Sequence, residues 1–310
     1  MRSVIYKVNI HYNTMNKKNR LIEWFLYEDL HRFHNFIAII TKRGYFFLNN
    51  GYKLAITKKN YFTIIKLYYF TLKYGVELGE EEGCWRYKDG IIITPDGIKF
   101  SLKGFNPSIF FETFINDYHY VSSDLKGKTV INAGGFVGDT ALYFAEKGAD
   151  VFSFEPDPNS YELAIENIEL NPSLSNKIVM RNWALGLDKF ITFPVNGEDS
   201  GSSSALAISG LETVSVRCAS VSTILKEFDI SEPFLLDLDV KGFEYEVIKD
   251  PQIANFNIVR IEYNTKYNGI IIGTRSLIIG KLKECGFRYF RIYSLGGIDL
   301  NQGGVIEARR

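Results

Sequence analysis

The chain has 310 residues with 36 basic and 36 acidic side chains, and so carries no formal net charge. Its 46% apolar and 23% charged residues are ordinary for a globular protein. They exclude a disordered chain, a collagen-like repeat and a disulfide-dense mini-domain. The length suits one large domain or two smaller ones. The three cysteines are widely spaced and form no Cys-x-x-Cys motif, which argues against a zinc site or a disulfide framework.

The neutral total conceals an uneven distribution of charge. Residues 1–75 contain 13 Lys or Arg but only 3 acidic residues, so this part carries +10 and the remainder −10. The same segment holds 17 of the 46 aromatic residues. This asymmetry suggests an anionic partner, for example a membrane surface or a lipid-linked glycan. A packed cap, a dimer contact or plain compositional bias are the alternatives.

The N-terminal region, which we assign to residues 1–80, has the pattern of a small α+β unit. Alternating apolar residues predict a strand over 4–12, and apolar spacings of three and four predict a helix over 22–40. Asn49-Asn50-Gly51 predicts a hairpin turn. A second helix is expected between Asn60, as its N-cap, and Gly75.

Residues 81–127 predict a hairpin and a helix that lead into the main domain. The hairpin turns at Pro95-Asp96-Gly97, where proline and glycine suit the dihedral angles of a turn. We find neither a signal peptide nor an apolar stretch long enough to cross a bilayer. We therefore expect a cytoplasmic protein, with peripheral membrane contact through residues 1–75 as an option.

Residues 128–310 alternate short apolar runs with helical patterns, which predicts an α/β domain with a doubly wound parallel sheet. A last pair of strands joined by a short loop indicates an antiparallel edge. The expected strands cover 130–133, 151–155, 178–182, 234–239, 258–263, 287–293 and 304–308, and the expected helices cover 140–146, 159–170, 221–228, 243–249 and 276–285.

A glycine-rich loop and a distant acid are the main chemical signal. The first strand of this domain runs into Asn132-Ala133-Gly134-Gly135-Phe136-Val137-Gly138-Asp139-Thr140, and the second ends at Glu155. Glycines at such a turn let a ligand approach the backbone, and an acid about 20 residues later can accept hydrogen bonds from a ribose. The sequence therefore predicts a nucleoside-containing ligand.

The loop favours S-adenosylmethionine over a dinucleotide such as NAD. A pyrophosphate needs a free helix N-terminus, and here Asp139 would repel it. A cationic sulfonium tolerates acidic groups in the same position. The alternative is a glycine turn that only packs the helix onto the strand.

Several motifs in order resemble the FkbM-type methyltransferases, over about residues 90 to 308. They are the glycine loop, Phe154-Glu155-Pro156-Asp157-Pro158, Asn167 to Asn171, Trp183-Ala184-Leu185-Gly186, Ser200 to Ser204, and Leu238-Asp239-Val240-Lys241-Gly242-Phe243-Glu244. The resemblance implies a class I, Rossmann-like methyltransferase that uses S-adenosylmethionine and O-methylates a sugar or small metabolite.

The resemblance also implies roles for individual residues. The methionine end of the cofactor would lie near Asn132, Gly134, Gly135, Gly138, Asp139 and Thr140. Glu155 and Pro156 would adjoin the ribose, and Asn182 and Trp183 the adenine. Asp239 would face the acceptor, and Asp237, in the same signature, would belong to the cofactor-binding residues. The serine-rich segment would form a mobile lid.

Five positions depart from the family pattern. Gly135 and Phe136 stand where Ala-Asn is common. Asn132 stands where Asp is usual, which keeps an acceptor but loses a charge. Asp237 stands where Lys is frequent, and Lys241 where Glu is frequent, so an ion pair with reversed polarity is one expectation. Cofactor binding is compatible with these changes.

Methyl transfer to an aliphatic hydroxyl benefits from a base within hydrogen-bond reach. The candidates are Asp239, then Glu244 and His119; a helix N-terminal acid is the alternative reading of Glu244. Asp239, Glu262 and Asn264 could in principle hold magnesium, but we assign no metal.

Two other functions compete with O-methyl transfer. A nucleic-acid methyltransferase could use the basic N-terminal region, but the chain has neither an Asn-Pro-Pro-Tyr nor a nearby Pro-Cys motif. A cofactor-binding scaffold without turnover is the other reading.

Overall fold

The computed structural model describes residues 32–48, 50–195, 212–267, 269–294 and 297–310. It divides into two compact units, one up to Glu77 and one from Leu78 to Arg310. The predicted strand over 4–12, the first part of the predicted helix over 22–40, and the serine-rich segment Ser200 to Ser204 lie outside the described residues. Among the described helices, none has both the length and the apolar character needed to span a bilayer.

The first unit is a hairpin between two helices. Its elements are α1 (Arg32–Thr41), β1 (Gly44–Phe47), β2 (Lys53–Ile56) and α2 (Tyr61–Tyr74). The two strands pair antiparallel, which confirms the predicted hairpin. The buried Asn35 ties the elements together, because its amide donates to the Phe47 carbonyl (2.9 Å) and to the Tyr68 hydroxyl (2.8 Å).

One end of α2 matches the sequence prediction fully and the other only in part. Gly75 adopts the left-handed conformation (φ 65°), and its amide donates to the Thr71 carbonyl, as expected for a glycine C-cap. Asn60 makes no side-chain cap bond to the helix. Its Oδ1 instead accepts the amide of Thr57 (2.7 Å), so the asparagine closes the preceding turn. Asn60 is thus the N-cap residue as predicted, but its side chain does not make the expected capping bond.

The second unit begins with a three-stranded antiparallel sheet and a helix. These elements are β3 (Arg86–Lys88), β4 (Ile91–Ile93), β5 (Lys99–Ser101), a 3-10 turn (Leu102–Gly104) and α3 (Pro107–Phe114). The turn at Pro95-Asp96-Gly97 joins β4 to β5 as predicted. Asn106 caps α3, since its side chain accepts the amide of Ser108.

The main domain contains the remaining strands and helices. The strands are β6 (Thr129–Ala133), β7 (Asp150–Phe154), β8 (Ile178–Arg181), β9 (Ala184–Leu185), β10 (Lys189–Pro194), β11 (Thr213–Ala219), β12 (Pro233–Leu238), β13 (Ile258–Asn264), β14 (Lys266–Tyr267), β15 (Ile270–Ile271), β16 (Tyr289–Tyr293) and β17 (Gly303–Arg309). The helices are α4 (Asp139–Glu146), α5 (Pro158–Glu169), α6 (Pro172–Ser175), α7 (Val221–Glu227), α8 (Glu244–Val247) and α9 (Arg275–Glu284), with a 3-10 turn at Pro251–Asn255.

Seven of these strands form one sheet in the order β16-β17-β13-β12-β6-β7-β8. The strands from β13 to β8 are mutually parallel, and β17 runs antiparallel to both of its neighbours. The pair β16–β17 thus forms the antiparallel edge that the sequence predicts. This is the α/β arrangement of a class I methyltransferase.

A smaller sheet with the order β10, β11 and β9 was not predicted. The helix expected over 243–249 is a single turn, Glu244–Val247. The core of the domain is apolar and includes Leu236, Leu238 and Ile261 from the central strands.

Candidate active site

A solvent-accessible cleft lies at the carboxyl ends of β6, β7, β12 and β13. Loops that follow adjacent parallel strands meet at this edge of the sheet, which is where doubly wound folds bind their ligands. Residues from α3, the segment after it, and strands β9 and β10 complete the walls.

The glycine loop touches the loop after β12 so closely that it excludes any side chain. Gly134 has φ 89°, and a Cβ built on it would lie 2.1 Å from the carbonyl oxygen of Asp239. In return, the Asp239 amide donates to the Ala133 carbonyl (2.9 Å). Gly135 is similarly confined, because its Cβ would meet Ser153 Oγ at 2.4 Å. Both glycines therefore serve close backbone packing, and Gly134 also lines the cleft.

Glu155 is held at the end of β7 by backbone amides. Its Oε2 accepts the amide of Phe136 and its Oε1 accepts the amide of Asp157, each at 2.8 Å. Burial raises its pKa to about 8, although these two amides oppose the shift. The side chain lines the cleft, and each oxygen keeps a second lone pair for a further donor.

The backbone around Glu155 is also fixed. The Asn182 side chain donates to the carbonyl oxygens of Glu155 (2.9 Å) and Pro156 (3.0 Å). Pro156 lines the cleft, whereas Asn182 supports it from outside. Phe136, which sequence reasoning did not single out, has a strained positive φ of 41° and also lines the cleft. Neither the support from Asn182 nor the positive φ of Phe136 can be recognised from the spacing of residues in the sequence.

Asp139 is buried at the start of α4, where Gly138 is the N-cap residue with φ 80°. Its Oδ2 accepts the hydroxyl of Thr113 (2.9 Å), and its Oδ1 has no hydrogen-bond partner. Burial raises its pKa, with opposing effects of His119 and of hydrogen bonds. Asp139 and Thr140 both line the cleft, and Gly138 does not.

Trp183 lies behind the wall of the cleft. Its ring stacks on Phe154 with centroids 5.9 Å apart, and the guanidinium of Arg217 lies 3.9 Å from the Trp183 ring centroid. Trp183 is not among the lining residues, but Ala184, Leu185 and Phe193 are. The apolar wall on this side therefore comes from β9 and β10.

Carboxyl groups from three elements surround Lys241 at the other end of the cleft. Asp239, Glu112 and Glu262 line it with Lys241. Burial alone would lower the pKa of Lys241, but the carboxylates raise it, with Asp239 contributing most. Burial raises the pKa of Glu262 to about 8, with further repulsion from Asp239. Asp239 Oδ1 is buried without a hydrogen-bond partner.

Asp237 lies beneath the cleft in a network of buried polar groups. Its Oδ1 forms an ion pair with Arg260 Nη1 (2.7 Å), and its Oδ2 lies 3.1 Å from His119 Nδ1. Asn132 Nδ2 donates to the same Oδ2 (3.2 Å). Burial opposes ionisation of Asp237, but Arg260 and His119 hold its pKa well below the usual range. The sequence suggested an ion pair between Asp237 and Lys241, but Asp237 pairs with Arg260 instead.

Among the candidate bases, Asp239 and His119 line the cleft, and Glu244 does not. The Glu244 carboxylate accepts the amides of Gly242 and of Asn264 (the latter at 3.0 Å), and burial raises its pKa to about 7. Asn264 is likewise outside the lining. Within the described residues, no three His, Cys, Asp or Glu side chains are grouped so as to hold a metal ion.

Arg260 is the main residue that sequence reasoning missed. It is 1% exposed and lines the base of the cleft. An arginine inside the apolar run Ile258–Tyr263 is a signal that could have been read, because a buried guanidinium requires a buried counter-charge.

The strand order, the glycine loop and the acid that ends the second strand together define a class I methyltransferase. The family model of the methyltransferase FkbM domain matches residues 131–289, which is more than half of the chain. The chain therefore belongs to the FkbM methyltransferase family. The resemblance found in the sequence is confirmed, and the expected cofactor agrees with this membership.

One curated relative is the hexuronic acid methyltransferase AglP of Haloferax volcanii, which is 26% identical over 140 residues. The match covers 42% of this chain and 54% of the relative, so the chain spans about half of that protein's length.

Two solved structures show more distant likeness. The N-terminal domain of human METTL16 in complex with SAH is 12% identical with a TM-score of 0.39, covering 95% of this chain and 98% of that chain. Magnesium protoporphyrin IX methyltransferase from Synechocystis PCC 6803 with bound SAM is 15% identical with a TM-score of 0.36, covering 66% and 77%. Neither likeness bears on the substrate of this chain.

Proposed function

We propose that the cleft binds S-adenosylmethionine and that the protein transfers its methyl group to a hydroxyl of a glycan or small metabolite. The observation that carries the cofactor assignment is the fixed carboxyl group of Glu155, which two backbone amides hold at the edge of the cleft. The name of the Haloferax relative, a hexuronic acid methyltransferase, supports a sugar-type acceptor.

The residues present fit this cofactor. Glu155 has lone pairs left to accept both ribose hydroxyls. The unpartnered oxygens of Asp139 and Asp239 suit an ammonium group. A cleft rich in carboxyl groups also suits a sulfonium cation. A pyrophosphate would instead meet the Asp139 side chain at the start of α4, which disfavours a dinucleotide.

The bound cofactor supplies an electrophilic methyl group, and the protein supplies position and a path for one proton. Glu155 orients the nucleoside, and Leu185 and Phe193 exclude water from that side of the cleft. Alignment of the acceptor oxygen provides a large part of the rate of such a displacement. His119 and Asp239 are the two candidate proton acceptors that line the cleft.

Calorimetric titration with S-adenosylhomocysteine tests the cofactor assignment. We expect binding by the wild type and a loss of about 10- to 100-fold in affinity for Glu155→Ala, since the hydrogen bonds to the ribose hydroxyls disappear. Glu232→Ala removes an exposed carboxylate elsewhere on the same domain and is the matched control. Equal affinity of Glu155→Ala and wild type would contradict the ribose assignment.

Transfer of a tritiated methyl group to two matched acceptors tests the substrate class. Five carboxyl side chains line the cleft against two basic ones: Glu112, Asp139, Glu155, Asp239 and Glu262 against Lys241 and Arg260. At pH 9, above the pKa of about 8 of Glu155 and Glu262, we expect methyl glucoside, which is neutral, to accept methyl groups at least about 10-fold faster than glucuronate, because like charges repel across a binding site. Faster transfer to glucuronate would reverse this assignment.

A further inference from the structure

His119 presents one ring nitrogen to a carboxylate and the other to the cleft. Nδ1 lies 3.1 Å from Asp237 Oδ2, and Nε2 lies 3.4 Å from the hydroxyl of Thr140, which also lines the cleft. An ionised carboxylate can only accept, so Nδ1 carries the hydrogen in this contact. Nε2 is then left as an acceptor, and its contact with the Thr140 hydroxyl is long.

Arg260 fixes both the carboxylate and the backbone that carries the histidine. Its Nη1 pairs with Asp237 (2.7 Å), and its Nε donates to the carbonyl of Tyr118 (3.0 Å), the residue before His119. The hydroxyl of Tyr293 donates to the same carbonyl (3.3 Å). The guanidinium therefore supplies Asp237 with a counter-charge that does not depend on the imidazole.

Two of the departures from the family pattern are linked in space. Asn132 and Asp237 are register partners on the adjacent strands β6 and β12, and Asn132 donates to Asp237. Ser153 in turn donates to Asn132 Oδ1 (2.7 Å), which orients the amide. An aspartate at position 132 would place a second carboxylate against Asp237. The asparagine therefore allows a buried carboxylate to lie under His119.

We propose that His119 Nε2 takes the proton of the acceptor hydroxyl, and that Asp237 and Arg260 are positioning residues that fix its tautomer and its place. This inference rests on the proposed methyl transfer to oxygen. The hydroxyl oxygen gives its proton to Nε2 and bonds to the methyl carbon, while the electrons of the broken carbon–sulfur bond stay on sulfur. The positive charge thus passes from sulfur to the imidazolium, which lies beside Asp237.

Asp239 is the competing base, and its surroundings favour His119. Asp239 shares its end of the cleft with Lys241 and contributes most to raising the pKa of that lysine. Its carboxylate is thereby engaged in balancing a buried ammonium. The His119 ring is held at Nδ1 by Asp237, and this contact directs Nε2 to the cleft.

Ring-nitrogen NMR of the full chain labelled with ¹⁵N-histidine tests the tautomer without any acceptor. We expect hydrogen on Nδ1 and none on Nε2 of His119, with the signal assigned by its loss in His119→Asn. In Asp237→Asn the amide can donate, so the population should shift toward hydrogen on Nε2. Hydrogen on Nε2 in the wild type would overturn the proposal. Asp237→Asn leaves Arg260 without its counter-charge and can unfold the chain. The wild-type spectrum is therefore sufficient by itself to test the tautomer of His119.

Methyl transfer to a mixture of neutral hexose methyl glycosides tests the chemistry. At saturating cofactor we expect His119→Ala to lose about 100-fold or more, with unchanged affinity for S-adenosylhomocysteine and partial recovery in added imidazole. His34→Asn, at an exposed histidine of the first unit, is the matched control. Wild-type rates in His119→Ala, or a larger loss without rescue in Asp239→Asn, would overturn the inference.

These outcomes separate the inference from the function on which it rests. A wild type that binds no S-adenosylhomocysteine refutes the proposed function. The tautomer of His119 still tests, independently of that result, whether Asp237 holds hydrogen on Nδ1. A wild type that binds it but methylates none of the glycosides contradicts the glycan acceptor. In that case His119 is treated with diethyl pyrocarbonate, and peptide mapping shows whether Nε2 is acylated. Absence of modification at Nε2 overturns the proposal.

Discussion

Two buried carboxyl groups on strands of one sheet, with β6 between them, behave in opposite ways. Glu155, at the end of β7, accepts hydrogen bonds only from backbone amides, and burial raises its pKa to about 8. Asp237, in β12, pairs with the guanidinium of Arg260, and its pKa lies well below the usual range. Both are nearly inaccessible to water.

The difference shows how this fold separates binding from positioning. A carboxyl group held by neutral donors ionises reluctantly and gains from new hydrogen-bond donors, which suits a ligand site. A carboxylate held by a full positive charge is fixed in its charged state and can orient a neighbouring histidine. The counter-charge, and not burial, distinguishes the two.

The largest expected effect comes from removing the counter-charge. Arg260→Met leaves Asp237 buried and unpaired, so we expect a loss of about 3–5 kcal/mol in the free energy of unfolding, measured with urea. Lys103→Met, which removes the exposed pair with Glu166, should change it by less than about 1 kcal/mol. Adding Asp237→Asn to Arg260→Met should recover part of the loss. If Arg260→Met and Lys103→Met were equally stable, the counter-charge of Arg260 would not be what distinguishes Asp237 from Glu155.

Gly134 offers a test of how tightly the two loops meet. Gly134→Ala should lose about 2–5 kcal/mol, since it combines the strain of a positive φ (about 1–2 kcal/mol) with overpacking against Asp239 (about 1–3 kcal/mol). Gly97 has the same φ of 89° but nothing within 4 Å of its Cβ position. Gly97→Ala should therefore lose only the strain. Thermal unfolding of both variants compares them, and equal losses would refute the close contact.

The raised pKa of Glu155 makes stability depend on pH. The folded chain keeps a proton up to about pH 8 that the unfolded chain releases near 4.5, so this group makes stability fall as pH rises through that window. Glu155→Gln removes the effect. Relative to the variant, we expect wild-type stability to fall by up to about 1.4 kcal/mol per pH unit. Parallel urea curves between pH 5 and 8 would show that Glu155 ionises normally.

The smallest expected effect concerns the backbone that carries Glu155. Asn182→Ala removes two hydrogen bonds to the carbonyls of Glu155 and Pro156, so we expect a loss of about 1–2 kcal/mol in the free energy of unfolding. Titration with S-adenosylhomocysteine should show a loss of affinity smaller than that of Glu155→Ala. A larger loss would mean that Asn182 contacts the ligand itself.

Much of the main domain could be predicted from local patterns. The strands from β6 to β8 and from β12 to β13, and the helices between them, follow from apolar runs of fixed length and from the turns that separate them. The glycine loop and Glu155 were recognised by spacing, since the length of one βαβ unit fixes the distance between them. The Asn60 side chain makes no capping bond because Thr57 offers it a competing hydrogen bond.

The residues at the Lys241 end of the cleft cannot be recognised from their spacing in the sequence. Glu112, Lys241 and Arg260 are far apart along the chain and meet because α3, the loop after β12 and strand β13 converge at one edge of the sheet. His119 and Asp237 are separated by 118 positions, and only packing brings them within 3.1 Å.

The sequence by itself determined the class of fold, the family and the carboxyl group expected at the ribose, because each of these rests on local pattern or on spacing within one structural unit. The tertiary structure decided which carboxyl groups are charged, which candidate bases reach the cleft, and what each polar group pairs with. These properties depend on burial and on contacts between distant segments, which a linear pattern does not contain.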